Sequence, residues 1–172
     1  ILYQQNKYDE LISYAPSYMN SITEKRKGEF AKLIADSYFK KKNFKTSLNY
    51  YKTFKKFAKS SRESNYQVAF CYYKTKDLRK AIELFSSVAY KEDSLSQICY
   101  YHMADSYLKM DEKDYARNAF QKASKLDFDE EIKRNSLFNY AKLAYELSYN
   151  PYDEAINSFQ QFICLLYTSP SP

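Results

Sequence analysis

Apolar residues along this chain recur at helical spacing, and the recurrence itself repeats. In Tyr72 to Val88, YYKTKDLRKAIELFSSV, an apolar helix end meets a polar break at Thr75–Asp77 and then a second apolar helix. In that second helix a small residue, Ala81, is followed four positions later by Phe85 and three later by Val88. Residues three and four apart share one helix face, so the trio marks a buried stripe. The same order appears upstream as Tyr38, Ser47, Tyr51 and Phe54, and downstream as Tyr107, Ala116, Phe120 and Ala123. The three tyrosines are 34 and 35 residues apart, and each precedes its small residue by nine. Another small residue, Ala35, Ala69 or Ala104, lies three before each tyrosine. A weaker copy follows at Ala155, Phe159 and Phe162, with Tyr145 upstream and one extra residue between. At the front, Tyr8, Leu11 and Ala15 read as the second half of a copy.

The pattern predicts helix pairs. A small residue lets two helices approach closely, and the aromatic beside it fills the remaining space. One pair cannot bury its apolar face alone, so copies stack. Helices are expected over Tyr8 to about Tyr14, with Pro16 ending or kinking the first. Glu24–Lys41 follows behind a Thr23 cap, then Phe44–Lys59, Glu63–Lys74 and, behind Asp77, Leu78–Tyr90. Asp93 or Ser94 caps a helix reaching about Met110, and Glu112–Leu126 returns. Acidic Asp127–Glu131 favours the start of Glu130–Leu147, and Ser148–Pro151 connects it to Tyr152–Ile163. The predicted organisation is a single array over 1–163: a half repeat at 8–20 and pairs at 24–59, 62–91, 94–126 and 130–163.

With this period and this grammar, the stretch from Tyr8 to Ile163 resembles the tetratricopeptide repeat (TPR) family. It departs at two points. Ala35, Ala69 or Ala104 stands where the family has a first-helix Gly, and Phe128 follows Leu126–Asp127 with no helix-closing Pro. The resemblance implies an all-α fold, a right-handed α-solenoid of stacked antiparallel helix pairs. It also implies a protein-binding scaffold with a concave groove lined by first helices, in which extended peptides lie. Mapped residue by residue, the groove positions are Lys32, Asp36 and Phe39; Tyr66, Phe70 and Tyr73; and Tyr101, Asp105 and Leu108. Some family members grip a C-terminal carboxylate with a Lys/Asn clamp. Lys32 matches the Lys, but Asp36 stands in place of the Asn and would repel a carboxylate.

Composition sharpens the picture. One Gly, no Trp and four Pro in 172 residues favour helices over a turn-rich β fold. Twenty Tyr and 12 Phe suit a thin array whose core positions reach solvent at one end. The net charge is +6, with basic residues concentrated at Lys40–Lys42 and at Lys52, Lys55, Lys56, Lys59 and Arg62. That excess reads first as a solvated outer helix face, and otherwise as a contact for an anionic partner, nucleic acid or a membrane surface. A nucleic-acid-binding helical repeat is the alternative, and the placement of Lys52 to Lys59 on a second, outer helix counts against it. No run reaches eighteen apolar residues, so no membrane span is predicted.

Candidate chemistry is sparse. Cys71, Cys99 and Cys164 form neither a disulfide framework nor a CxxC pair, and buried single thiols are expected. Cys99, His102 and Asp105 share a helix face, but a metal site needs about four ligands and this chain has one His. Ser106 after His102 lacks the sharp turn that presents a serine nucleophile. A single Gly excludes the phosphate-binding GxxxxGK[ST] and GxGxxG loops. The expectation is no enzyme, no metal and no cofactor, with a protein or peptide as partner.

Two readings concern origin. The Lys/Tyr/Asn-rich style and the run AKLAYELSYNPYDEAINSFQQFI look like TPR proteins of Bacteroidetes-type bacteria, several of which work in the cell envelope. Periplasmic or outer-membrane association is therefore expected over the cytoplasm. Cys164–Pro172, CLLYTSPSP, is expected to break the helical pattern, and it resembles the translation of a transposase-type sequencing adapter. Residues 164–172 are thus expected to be an artefactual tail. With a start at Ile1 in mid-repeat, the chain is expected to be a metagenomic fragment.

Overall fold

A computed structural model describes residues 2–147 and 152–168. Among them are nine α-helices and no strand: α1 (Tyr8–Ser21), α2 (Glu24–Lys40), α3 (Phe44–Phe57), α4 (Arg62–Lys74), α5 (Leu78–Val88), α6 (Ser94–Lys109), α7 (Lys113–Lys125), α8 (Glu130–Leu147) and α9 (Tyr152–Thr168). Contacts divide the chain into Ile1–Asp77 and Leu78–Pro172. The division falls inside the stretch 62–91 that the sequence pattern takes as one pair.

In the first unit α2 packs along both α1 and α3, and α3 packs on α4. Leu11, Ala15 and Ile34 form one buried centre, with Tyr3, Phe30 and Tyr38 against it. In the second unit α6 lies between α5 and α7, and α8 between α7 and α9. Its core gathers Ala104, Ala116, Phe120, Leu137, Tyr140 and Leu143. The repeating trios take the buried positions their spacing demands. Ser47, Tyr51, Ala81, Phe85 and Ala116 are fully buried, as are Ala35, Ala69 and Ala104.

The turns inside the pairs repeat as closely as the core does. Each uses one residue in the left-handed region: Asn6 (φ 57°), Lys42 (59°), Lys76 (67°) and Asp111 (59°). Two backbone bonds close each helix end. Asn43, Asp77 and Glu112 donate to the carbonyls of Tyr38, Tyr72 and Tyr107 at 2.9, 3.0 and 2.9 Å. Lys42, Lys76 and Asp111 donate to Phe39, Tyr73 and Leu108. This is the Schellman arrangement, which satisfies carbonyls orphaned at a helix C-terminus. The tyrosines that set the sequence period are thus also the acceptors of the turn, and Leu2 takes the same role for Lys7 at 3.0 Å. Side-chain caps begin α3, α4, α6 and α8. Asn43, Ser61, Asp93 and Asp129 accept from the amides of Thr46, Ser64, Ser96 and Ile132. Thr23 holds the N-cap position of α2 with no side-chain cap bond.

Three expectations change. First, α1 runs through residue 16 to Ser21 instead of ending near Tyr14. A proline forfeits only one backbone bond, and packing of Leu11, Ala15 and Met19 with α2 residues Phe30 and Ile34 holds both halves together. Second, α9 continues through Cys164–Thr168, so this part of the final stretch is helical. No Gly or Pro interrupts it there, and Leu165 packs on the core of the second unit. Third, Tyr145 is 60% exposed and does not repeat the role of Tyr38, Tyr72 and Tyr107. On α8 the buried face is held by Ala141 and Ala144, with Leu147 against the core, and Tyr145 falls outside it. The Ser148–Pro151 connector lies outside the described residues.

Candidate functional site

In the first unit, the expected groove positions on α4 form a continuous aromatic surface. Phe70 has its ring centroid 6.1 Å from Tyr66 and 5.8 Å from Tyr73. Their spacing of four and three places all three rings on one side of the helix. Phe39 of α2 meets Phe70 at 5.6 Å. Phe44, at the first position of α3, closes a triangle with Phe39 and Phe70 at 5.6 Å on each side. The rings meet tilted or edge to face, the arrangement that ring quadrupoles favour. Lys74 Nζ lies 5.1 Å from the Phe70 centroid and 5.2 Å from that of Tyr73, within cation–π range. All five aromatic residues are half-buried, so each leaves part of its surface to solvent. Phe44 and Lys74 were not among the expected residues. Lys74 directly follows the α4 stripe, and Phe44 opens the returning helix, so both sit next to expected positions in sequence.

Lys32 and Asp36 are brought together, Asp36 turned inward and Lys32 partly exposed. Lys32 Nζ donates to Asp36 Oδ2 at 2.6 Å, and the Tyr51 hydroxyl donates to Oδ1 at 2.5 Å. Asp36 is only 6% exposed. Burial, and then the bond to Asp36, push the Tyr51 hydroxyl well above the ordinary tyrosine range. Asp36 therefore ties α2 to α3, and both its oxygens are engaged. An Asn there could not accept from Lys32 and Tyr51 with equal strength, because a carboxylate accepts the stronger, charge-assisted bonds.

In the second unit, Tyr101 and Leu108 pack against the core, with Tyr101 edge to face on Phe120 at 6.0 Å. Asp105 accepts from Lys109 at 2.5 Å. These three positions do not make a cluster of rings comparable to that on α4. Cys99 is buried, and the His102 ring stacks on Phe85 at 5.5 Å. Among the described residues no group of three or more His, Cys, Asp or Glu comes together as metal ligands. Cys71 and Cys99 are separate buried thiols, and burial raises the Cys71 pKa to about 11. A cleft of about 840 Å³ opens between α7, α8 and α9, lined by Gln121, Lys133, Leu137, Tyr140, Glu154 and Leu165 among others. Within it the Tyr140 hydroxyl donates to Glu154 and accepts from Gln121. No helix of the described residues is long and apolar enough to cross a membrane.

These repeats have counterparts in known proteins. The family model for anaphase-promoting complex, cyclosome, subunit 3 matches residues 54–123. The crystal structure of MamA superposes with a TM-score of 0.75 at 15% identity, covering 96% of this chain and 92% of that one. A Podosopora anserina structure, described as a kinesin light chain with nearly identical TPR-like repeats, superposes with a TM-score of 0.66 at 12% identity, covering 99% and 92%. The chain has the tetratricopeptide-repeat fold. A second MamA structure, MSR-1 C2, covers 99% of this chain and 100% of that one at 14% identity with a TM-score of 0.66. No curated protein sequence matches.

Proposed function

We propose that the chain is a non-catalytic scaffold that binds a protein or peptide through the first-helix faces of its repeats. The observation that carries this reading is the ring surface of Phe39, Tyr66, Phe70 and Tyr73, continuous over two first helices and open on one side. Aromatic surfaces of this kind bind apolar side chains at small entropic cost, because rings have few rotors to freeze. Lys74 beside the rings supplies positive charge that orients the partner. The Lys/Tyr/Asn-rich style supports a place in bacterial envelope assembly, which fractionation of the source cells would test.

Selection of peptides from a random library on the wild-type chain tests the binding surface. Selected peptides are expected to carry apolar side chains and to lose at least about ten-fold in affinity on Tyr66→Ser or Tyr73→Ser, with helicity unchanged. Equal affinity for wild type and both variants would overturn the assignment.

A further inference from the structure

We propose that the outer face of α3 docks on an anionic bilayer surface. The charge of the chain is unevenly placed. Residues 1–77 hold 16 Lys or Arg against 7 Asp or Glu (+9), and residues 78–172 hold 11 against 14 (−3), which together make the +6 of the chain. The excess is concentrated further: from Ser37 to Arg62 there are nine basic residues and no acidic one. The eight lysines in that stretch are all exposed. Lys41 pairs with Asp9. Among the described residues, no carboxylate pairs with Lys45, Lys52, Lys55, Lys56 or Lys59.

Helix geometry turns this run into a surface. Ser47, Leu48, Tyr51 and Phe54 bury one side of α3 and fix its orientation in the first unit. Lys45, Asn49, Lys52 and Lys56, spaced four, three and four apart, line the opposite side as a stripe about 16 Å long. Lys55 and Lys59 add charge beside its end. A basic stripe of this kind matches a headgroup layer, where lysines sit among lipid phosphates. Single-stranded nucleic acid is a poorer match. Its binding surfaces interleave basic residues with stacking rings, whereas Tyr51 and Phe54 of α3 face the core and Tyr50 stacks on Tyr38. Every basic residue of the stripe is also a Lys, which acts as a point charge and lacks the bidentate fork of Arg.

The test is co-sedimentation of the whole chain with phosphatidylcholine vesicles, with and without phosphatidylglycerol, at low and high salt. Binding is expected to the anionic vesicles alone and to fall at high salt. Lys45→Glu/Lys52→Glu/Lys56→Glu should lose at least about a hundred-fold, at roughly five-fold for each lysine removed. A control triple, Lys91→Glu/Lys125→Glu/Lys142→Glu, changes net charge equally on exposed sites of the second unit and should retain most of the binding. Equal loss in both triples, with helicity intact, would reduce the effect to net charge and overturn the proposal. So would equal binding to neutral vesicles, or tighter binding to polyuridylate than to anionic vesicles at the same salt.

Discussion

Gln97 and Asp129 hold each other in both directions. The Asp129 N–H donates to Gln97 Oε1 at 2.8 Å, and Gln97 Nε2 donates to the Asp129 carbonyl at 3.2 Å. The same side chain donates to the Leu126 carbonyl at 2.6 Å and accepts from the Phe128 N–H at 3.3 Å. Gln97 is fully buried, and its amide closes the α7–α8 connection, which contains no Pro.

Replacing Gln97 by Leu keeps the volume and removes every one of these bonds. Several backbone groups would be left buried without partners, at about 1–3 kcal/mol each before relaxation. Gln97→Leu is expected to destabilise the chain by roughly 2–4 kcal/mol in urea unfolding. Amide exchange at Phe128 and Asp129 should rise well beyond the global change. Unaltered exchange at those two amides would show that the clamp contributes little.

The left-handed turn residues predict a change of opposite sign. Lys76 holds φ at 67°, a conformation that costs an L-residue about 1–2 kcal/mol and glycine almost nothing. Lys76→Gly is expected to stabilise by about 0.5–1 kcal/mol after the extra freedom of the unfolded glycine is counted. Lys76→Val should destabilise, because β-branching is least tolerated there. Urea midpoints of the two variants should straddle that of wild type.

What was legible in the sequence follows from what has a period. Ala81, Phe85 and Val88 repeat at fixed spacing, so the helix pairs and their buried faces could be read directly, and all three are at most 1% exposed. The turns could not, because left-handed positions announce themselves through Gly, and here Lys42, Lys76 and Asp111 hold them. Gln97 was invisible for a related reason: its partners lie on a loop about thirty residues away, and no local pattern marks a polar residue as buried. The α4 stripe was legible as Tyr66, Phe70 and Tyr73. Phe44 was missed because it joins the stripe from another helix. Asp36 sits at the edge of the α2 face, where a rotation of a few tens of degrees decides between groove and core, and only Tyr51 across the helix pair settles it.

Tyr51 and Asp36 give a prediction of their own. Tyr51→Phe removes one hydroxyl and leaves Asp36 Oδ1 buried with its partner gone. The expected cost is about 1–3 kcal/mol. The proposed peptide binding by the half-buried rings of α2 and α4 should survive in the fraction that remains folded. A variant as stable as wild type would mean that water replaces the hydroxyl at Asp36.

Alkaline pH should unfold the chain through buried groups that resist losing a proton. Burial raises Cys71 from 9.0 to about 11. Burial, and then the hydrogen bond to Glu154, raise Tyr140 from 10.0 to about 12, and Tyr51 moves upward from 10.0 by burial and its Asp36 bond. In each case the folded chain keeps a proton that the unfolded chain has already released. The unfolded state then binds fewer protons, so stability falls as pH rises. The contribution of these groups is complete below about pH 9 and is lost progressively from there toward pH 12. Urea midpoints at pH 8, 10 and 11 should decline. Cys71→Ala combined with Tyr140→Phe should show a shallower decline than wild type, which separates these groups from lysine titration in the same range. Cys71 should also resist alkylation at pH 8 until urea unfolds the chain. Parallel declines in wild type and the double variant would place the alkaline sensitivity elsewhere, in the surface ion pairs of the lysines.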